Sequence, residues 1–342
     1  MKVLFATYSL AFQNPGGGER VMFETAEAVR KLGHQVDLYN PWTSKFSDYD
    51  LVHYFSVLET GFWNALRDQR PALPLVVTPT FKGEAGFNIR NRILQLLEAP
   101  QPSWNRSLAS RSQIPDLWLP TTATESACLT HTWHVSARKC FVVPNAVSDR
   151  FFNPDPAPFR KWSQFEKPFA LHVGRFHPVK NQLKLIRAFK KTKIPLLLIG
   201  GADLDHLDYF QQCSDEARGQ DNIRLLGSLP MDSDLLPSAY SAAKLFLLPS
   251  EFETYGLAAF EAVAAGVPHI YVTQECLGRP DLEGHVRFID PDQLENALPD
   301  IEADFYSKNI QPRKAQQNLP RWNEIAKLIV GHYSRLLNRT NP

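Results

Sequence analysis

Short runs of consecutive apolar residues alternate with stretches of helical periodicity along most of the chain. A run that is apolar at every position predicts a strand buried on both faces, as in a parallel sheet covered by helices. Strands that alternate with helices predict an α/β fold. The predicted strands form a first series at 3–6, 36–39, 51–55, 75–77, 117–119 and 141–143, and a second at 169–173, 196–199, 223–226, 245–248 and 270–272.

The region between the two series predicts a domain boundary. Residues 144–150 carry turn-forming residues, and prolines follow at 154, 156 and 158, as in an interdomain linker. We therefore expect two α/β domains, at 1–148 and 149–318, each long enough for its own core. A final helix in 319–342 is expected either to close the second domain or to cross back to the first.

The segment 249–261 connects the apolar run 245–248 to a small-residue helix predicted over 258–265 and ended by Gly266. Glu253 precedes that helix and Glu261 lies inside it. Open α/β sheets bind ligands at the carboxyl ends of their strands, so the loop allows Glu253 to point towards a ligand there. An ordinary strand-turn-helix with two solvated glutamates is the alternative interpretation.

The backbone between these two glutamates indicates an anion site. Tyr255, Gly256 and Leu257 would offer N–H groups at a helix N-terminus, where negative charge is favoured. The helix dipole contributes only about 0.3 to 2 kcal/mol, which is too little to hold a diphosphate. Cationic side chains must therefore converge from another loop.

Residues 174–180 supply two such cations. Gly174 follows the first strand of the second series, and Arg175 and Lys180 are five positions apart across a turn. An arginine grips phosphate oxygens with a bidentate fork, and a lysine adds a mobile point charge. Alone, this segment is better explained by a solvated loop; together with 249–261 it favours phosphate binding. His177 is expected to be a loop residue.

A glycine-rich turn, 16–20, follows the first predicted strand. It lacks the G-x-G-x-x-G spacing because Val21 occupies the last position, so a dinucleotide fingerprint is not met. Two interpretations stay open: a tight turn, or a loop whose amides at Gly17 and Gly18 meet a ligand.

Composition narrows the class of protein. Of 342 residues, 44% are hydrophobic and 21% charged, and the formal net charge is +1, which is typical of a soluble globular protein and gives no reason to expect nucleic-acid binding. The four cysteines are too far apart for a zinc knuckle or a dithiol motif, so a reduced cytoplasm fits best. No apolar run reaches the length of a membrane-spanning helix. The widely spaced cysteines are Cys128, Cys140, Cys213 and Cys276.

Two local charge patterns allow functional interpretations. The region 82–112 carries five basic and two acidic residues beside several apolar ones, which suits a peripheral contact with the inner face of a membrane or with an anionic acceptor; an ordinary solvated face is favoured. Asp-x-Asp triplets begin at 48, 203, 232 and 290. All four resemble turns or helix caps, so no metal is expected.

With these segments in this order, the chain resembles the family 4 retaining glycosyltransferases, which have two Rossmann-like domains with parallel sheets facing across a cleft, the GT-B arrangement. The E-x7-E element from Glu253 to Glu261 is the most specific part of the resemblance. The other matching segments are 16–20, 33–36, 143–147, 174–180, 222–227 and 265–268.

The resemblance implies a role for each matching position. Arg175 and Lys180 would bind the donor diphosphate and stabilise it as the leaving group, and Glu253 would contact hydroxyls of the donor sugar, which makes these three the catalytic candidates. Glu261 would hold the ribose hydroxyls. The remaining donor contacts implied are Gly17, Gly18, Gly174, the backbone near Gly227 and Leu229, and the amides of Thr254, Tyr255, Gly256 and Leu257.

The implied activity is transfer of a sugar from a UDP-, GDP- or ADP-sugar to a hydroxyl of a glycan or glycolipid, without a metal, during polysaccharide, lipopolysaccharide or glycolipid synthesis. Two departures from the family pattern bear on it. Residues 77–81 contain no histidine where many members have one, and His53 is not a safe substitute because a core role is open. Residues 275–281 lack the usual glycine-rich turn, with Asp281 as a stand-in for its acid. An inactive nucleotide-sugar-binding or regulatory protein is the alternative.

Overall fold

The computed structural model describes residues 1–13, 16–57, 59–80, 111–230, 232–274, 282, 284–307 and 319–340. The chain divides into two compact units, one formed by Met1–Ala146 with Pro320–Pro342 and the other by Val147–Leu319. No helix in these described ranges is both long enough and apolar enough to cross a lipid bilayer.

The first unit is built on a parallel sheet with strand order β2-β1-β3-β4-β5. Its strands are β1 (Lys2–Ala6), β2 (Gln35–Leu38), β3 (Leu51–Phe55), β4 (Leu75–Thr78) and β5 (Leu117–Trp118). Its helices are α1 (Gly17–Lys31), α2 (Gly61–Gln69), α3 (Ala123–Ala127) and the C-terminal helix, numbered α10 (Trp322–Thr340). Strands β3 and β4 are buried at every position, which explains their uninterrupted apolar runs.

One predicted strand of this unit is wrong. Residues 141–143 form no strand, although Trp118 and Cys140 form an isolated bridge and the N–H groups of Phe141 and Val143 donate to the carbonyls of Trp118 and Pro120. The side chains of Phe141 and Val142 are 37% and 45% exposed. Of the three apolar side chains only Val143 is buried, so the run lacks the burial on both faces that its pattern predicts.

The second unit carries the other parallel sheet, with strand order β11-β10-β9-β6-β7-β8. Its strands are β6 (Ala170–Val173), β7 (Leu196–Ile199), β8 (Ile223–Leu225), β9 (Leu245–Leu248), β10 (His269–Val272) and β11 (Arg287–Phe288). The helices are α4 (Ala157–Ser163), α5 (Gln182–Phe189), α6 (Leu207–Ala217), α7 (Leu235–Ala242), α8 (Leu257–Ala264) and α9 (Leu298–Tyr306). Strand β11 is exposed at both positions and was not predicted from the apolar pattern.

Alternate residues of the second sheet enter two different hydrophobic clusters. Leu171, Phe246 and Leu248 lie in one cluster, whereas Leu245 and Leu247 lie in the other. Each face of the sheet is therefore covered, as a doubly wound α/β fold requires. The α/β class and the parallel sheets predicted from the sequence are confirmed.

The strand order places a ligand-binding position in the second unit. From β6 the chain adds β7 and β8 on one side, then returns to add β9, β10 and β11 on the other. The loops that follow β6 and β9 consequently leave the sheet in opposite directions. This is the topological switch point at which doubly wound sheets bind ligands.

Candidate active site

The loops after β6 and β9 are joined by hydrogen bonds. The side-chain amide of Asn181 donates to the carbonyl of Pro249 at 2.9 Å, and the N–H of Glu251 donates to the carbonyl of Val179 at 2.8 Å. Asn181 adopts the left-handed conformation, with φ of 55°, which asparagine tolerates better than most residues. These contacts hold residues 174–181 against the start of the loop that carries Glu253.

Lys180 and Glu253, predicted to act together, form an ion pair at this junction. The lysine Nζ lies 2.5 Å from Glu253 Oε1, and the same oxygen accepts a hydrogen bond from the Ser250 hydroxyl at 2.6 Å. The two charged side chains are 25% and 10% exposed. A buried partner thus fixes the carboxylate while the ammonium keeps access to solvent.

Arg175, the second predicted cation, pairs with a carboxylate from a third loop. Its Nε lies 3.2 Å from Asp203 Oδ2, and the aspartate side chain is 9% exposed against 40% for the arginine. The other oxygen of Asp203 accepts from the N–H of Asp205. Asp203 is therefore both the turn residue that its Asp-x-Asp spacing indicated and the partner of a candidate phosphate ligand.

The loop carrying Arg175 is also fixed from its own helix. The Gln182 side-chain amide donates to the carbonyl of Arg175 at 2.8 Å. His177 behaves as the sequence predicts, because its Nδ1 accepts from the N–H of Val179 at 3.1 Å and so caps the turn. Burial, followed by the nearby His206, lowers the pKa of His177.

A glycine follows each of the strands β6, β7 and β8, so no side chain projects from the backbone at these positions. A Cβ on Gly200 would lie 2.0 Å from the carbonyl oxygen of Gly174, so the two backbones approach too closely for any side chain. Gly227, predicted near the base, has φ of 72° and accepts from the N–H of Gly200 at 2.9 Å. Leu229 is partly buried against the core, which leaves its backbone as the group available to a ligand.

The N-terminus of α8 completes this edge. Gly256 is the N-cap, with φ of 71° and ψ of 36°, and the helix begins at Leu257, one residue earlier than predicted. Tyr255 is 5% exposed and packs against Phe260 with ring centroids 5.0 Å apart. Only its main chain can therefore contribute to an anion site, whereas Thr254 is exposed.

Glu261 lies in the second turn of α8 and is 5% exposed. Its burial within the helix that starts at the candidate anion site fits the predicted ribose contact, which stays a prediction.

The remaining predicted donor residues, Gly17 and Gly18, belong to the first unit and open α1. The neighbouring Glu19 closes this turn: one oxygen accepts from the N–H of Gly16 at 2.7 Å and the other from the Tyr8 hydroxyl at 2.8 Å. A Cβ on Gly18 would meet nothing within 4 Å. The contact of these glycines with a donor sugar stays a prediction.

His53 is a core residue of the first unit. Its Nδ1 lies 2.5 Å from the Tyr333 hydroxyl of α10 and its Nε2 lies 2.8 Å from the Thr78 hydroxyl. Burial lowers the pKa of His53 to about 3. It therefore stays neutral and fully paired, and does not replace the histidine that many family members have after the fourth strand.

Some predictions concern residues outside the described ranges. The basic region 82–112 falls there except for Arg111, which donates to the Thr60 hydroxyl at 2.6 Å, and Ser112; Asp281 falls there as well. Within the described ranges, no three or more His, Cys, Asp or Glu side chains are grouped so that they could hold a metal ion. Metal independence stays a prediction.

The candidate site residues of the second unit lie within a range that matches the model of a known family. The model of the family described as Glycosyl transferases group 1 matches residues 157–287, a range that contains Arg175, Lys180, Glu253 and Glu261. This part of the chain is similar to the group 1 glycosyl transferases. The resemblance drawn from the sequence is thereby confirmed.

Curated relatives carry related names. The O-antigen chain mannosyltransferase B of Escherichia coli is 31% identical over 180 residues, which cover 49% of this chain and 46% of that protein. The GDP-mannose-dependent alpha-mannosyltransferase of Mycolicibacterium smegmatis is 26% identical over 312 residues, 85% of this chain and 75% of that protein. This chain spans about half the length of most of the curated relatives that it matches.

Solved structures of other glycosyltransferases share the fold. A sucrose-phosphate synthase from Thermosynechococcus elongatus superposes with a TM-score of 0.78 at 20% identity, over 99% of this chain and 100% of that one. HepE of Anabaena, solved in complex with UDP, has a TM-score of 0.73 at 16% identity, over 98% and 100% of the two chains. These neighbours show that this chain has the GT-B fold.

Proposed function

We propose that this protein transfers a sugar from a nucleotide-diphosphate sugar to a hydroxyl of a glycan or glycolipid acceptor. The observation that carries the proposal is the convergence of Arg175, Lys180 and Glu253 on one edge of the second sheet, beside the N-terminus of α8. Two cations and a helix N-terminus match the charge of a diphosphate, and a fixed carboxylate matches sugar hydroxyls.

The ion pair between Lys180 and Glu253 belongs to the site without a bound donor. A diphosphate oxygen would compete with Glu253 for the ammonium, whose three N–H groups can turn from the carboxylate towards phosphate oxygens. As the ammonium turns towards the phosphate, Glu253 keeps the Ser250 hydroxyl and gains capacity to accept hydrogen bonds from the sugar. The donor thus replaces part of an existing interaction and avoids burying an unpaired charge.

In the proposed reaction, the bond between the sugar's anomeric carbon and the diphosphate oxygen breaks while a bond to the acceptor oxygen forms. The acceptor's proton passes to the departing phosphate oxygen, so no protein nucleophile is required. Arg175 and Lys180 stabilise the charge that develops on the leaving diphosphate, which is where fixed cations lower a barrier most effectively. Attack on the face that the diphosphate leaves would retain the anomeric configuration.

Retention and metal independence are the finer parts of the proposal, and each has its own measurement. The anomeric proton coupling of the product, followed by NMR from the start of the reaction, would show the donor's configuration if transfer is retaining. Turnover unchanged by EDTA would support cations in place of a metal. Inverted product, or activity restored only by Mg²⁺ or Mn²⁺, would contradict these parts and leave sugar transfer itself standing.

The names of the relatives suggest the first donors to test. Two relatives are named mannosyltransferases, one of them GDP-mannose-dependent, and HepE was solved with UDP. We therefore propose GDP-mannose as the first donor, UDP-glucose as the second and a lipid-linked glycan as the acceptor. A thermal-shift panel identifies the base, because a ligand at about 100 times its Kd stabilises the folded protein by about 2.7 kcal/mol.

An inactive nucleotide-sugar-binding protein remains the second candidate because of the first unit. The Thr78 hydroxyl lies at the end of β4, where many family members continue towards a histidine, and it contacts buried His53. Release of nucleoside diphosphate from the bound donor, lost on Arg175→Ala and Lys180→Ala substitution, would reject the binding-only alternative. Donor binding without release, in the presence of lipid-linked and soluble glycan acceptors, would favour it.

A further inference from the structure

A histidine that no predicted role uses lies at the centre of the second sheet. His172 is in β6, two residues before Gly174, and its side chain is fully buried. Its Nδ1 lies 2.9 Å from the carbonyl oxygen of Leu247 in the adjacent strand β9. Its Nε2 is buried and has no hydrogen-bond partner in the described part of the chain.

The hydrogen bond to Leu247 determines the tautomer of His172. A carbonyl oxygen only accepts, so Nδ1 must carry the proton, and Nε2 of the neutral ring then presents a lone pair. Burial lowers the pKa of His172 to about 4, which keeps the ring neutral near pH 7. The unpartnered atom is therefore an acceptor that requires a donor.

That acceptor faces the candidate phosphate loop. A Cβ placed on Gly174 would lie 3.4 Å from His172 Nε2 and 3.9 Å from both Cγ and Cδ of Lys180. The imidazole edge and the stem of Lys180 therefore approach the same point beside Gly174. The charge of Lys180 is also among the causes that lower the pKa of His172, as expected for neighbouring groups.

We propose that His172 Nε2 accepts a hydrogen bond from the Lys180 ammonium when a diphosphate draws that ammonium away from Glu253, which makes His172 a positioning residue for Lys180. The inference rests on the proposed donor site. Lysine has three N–H groups, so one bond to Nε2 leaves two for phosphate oxygens. The bond to Nε2 would take the place of the bond to Glu253 and hold the ammonium beside the diphosphate.

Two substitutions of His172 distinguish the contributions of its two ring nitrogens. The amide of His172→Asn lies near the position of Nδ1 and keeps the bond to Leu247, but it has no group near Nε2. The longer His172→Gln places its amide near Nε2 and retains an acceptor there. We expect His172→Asn to weaken GDP or UDP binding about three- to tenfold, with His172→Gln within about twofold of the wild type.

Titration calorimetry with GDP, UDP, GMP and UMP makes the test specific. The weakening in His172→Asn should be larger for the diphosphates than for the monophosphates, because Lys180 is assigned to the diphosphate. Equal weakening for both classes, or a loss that His172→Gln does not restore, would overturn the inference. Unfolding midpoints of all variants establish that each is folded at the titration temperature.

Imidazole nitrogen NMR supplies a direct readout. In ¹⁵N-histidine-labelled protein, the Nε2 resonance of His172, assigned by its absence in His172→Asn, should move towards lower frequency when the diphosphate is added, as an accepting nitrogen does. The shift should be lost in Lys180→Met. A shift that persists in Lys180→Met would overturn the inference, since the ligand itself would then be the donor.

The same titrations separate this inference from the proposed function. A wild-type protein that binds neither GDP nor UDP would refute the donor site itself. A wild-type protein that binds one of them, with binding weakened by Lys180→Met and unchanged by His172→Asn, would refute only the role of His172.

Discussion

The carboxyl edges of the two parallel sheets differ in how they use their polar groups. At the first sheet's edge, Ser9 in the loop after β1 donates to Glu59 in the loop after β3, from its hydroxyl at 2.6 Å and from its N–H at 2.9 Å. At the second sheet's edge, a lysine after β6 meets a glutamate after β9 at 2.5 Å. Each contact bridges the switch point of its sheet, but only the second includes a cation.

This difference indicates different ligands for the two edges. A carboxylate held by neutral donors, such as Glu59, suits ligands that offer hydroxyl groups, whereas cations at a helix N-terminus suit phosphates. The two buried histidines show the same contrast. His53 has a partner for each ring nitrogen, while His172 has one for Nδ1 alone among the described residues.

The sharpest way to break the comparison is to remove the cation at the second edge. Lys180→Ala should lower donor turnover about a hundred- to thousandfold, the loss typical when one group that stabilises developing negative charge is deleted. Lys184→Ala is the matched control, because that lysine pairs with Asp292 at 2.7 Å and with Glu251 of the loop after β9 at 3.6 Å, and is 39% exposed. Initial rates of nucleoside diphosphate release measure both.

Lys184→Ala should retain activity within about twofold, because exposed ion pairs contribute little. Equal losses in the two variants would mean that general positive charge, rather than the pair with Glu253, supports the reaction.

The second largest effect should follow substitution of the buried glutamate in α8. Glu261→Gln removes the charge from the proposed ribose contact but keeps a neutral acceptor, so part of the about 1.5 to 3 kcal/mol of a charged hydrogen bond is lost and nucleotide affinity should weaken roughly tenfold. Glu251→Gln, at an exposed carboxylate in the preceding loop, should leave the affinity unchanged. Calorimetric titration with the preferred nucleoside diphosphate compares them, and an unaltered Kd in Glu261→Gln would remove the ribose contact from the account.

The close approach of Gly200 to Gly174 at the carboxyl edge of the second sheet leads to a prediction about stability. Gly200→Ala introduces a Cβ 2.0 Å from the carbonyl oxygen of Gly174, and the strain should lower the free energy of unfolding by about 1 to 3 kcal/mol. Gly331→Ala is the control, because nothing lies within 4 Å of its Cβ and it lies inside α10. It should stabilise the protein by about 0.5 to 1 kcal/mol.

Urea unfolding at fixed pH measures the two glycine variants. If Gly200→Ala were as stable as the wild type, the close approach of the two loops would not exist in solution.

At the first edge, the prediction concerns pH. The pKa of His53 falls from 6.5 to about 3 on folding, so its contribution to stability is complete above pH 6.5 and is lost as pH falls towards 3. Between pH 6 and 4, the free energy of unfolding should therefore fall more steeply in the wild type than in His53→Gln, by about 1.4 kcal/mol per pH unit. Denaturant titrations at several pH values give both slopes, and parallel slopes would contradict the buried neutral state of His53.

Sequence patterns predicted the sheets well because most strands are buried on both faces. Residues 51–55 and 245–248 were predicted with the bounds that the structure shows. The same signal failed at 141–143, where Phe141 and Val142 stay partly exposed, and missed β11, whose two residues are both exposed. The hydrophobic pattern therefore indicates burial, and it predicts a strand only where the buried segment is also paired in a sheet.

The candidate site was only partly predictable, for a related reason. Spacing within one segment indicated Arg175, Lys180, Glu253 and Glu261, because the first two lie in 174–180 and the other two in 249–261. Partners from other loops left no such signal: Asp203 was identified only as a turn residue, and Ser250 as part of a segment. Strand order, which brings the loops after β6, β7 and β9 together, is not encoded in any local spacing.

Differential lysine labelling tests the central claim most directly, because it uses the unmodified protein. The acylation rates of Lys180 and Lys184 can be compared by mass spectrometry with and without saturating GDP or UDP, whichever binds. We predict that the nucleotide slows modification of Lys180 severalfold and leaves Lys184 unchanged. Bound nucleoside diphosphate with unaltered modification of Lys180 would contradict the assignment of this edge as the donor diphosphate site.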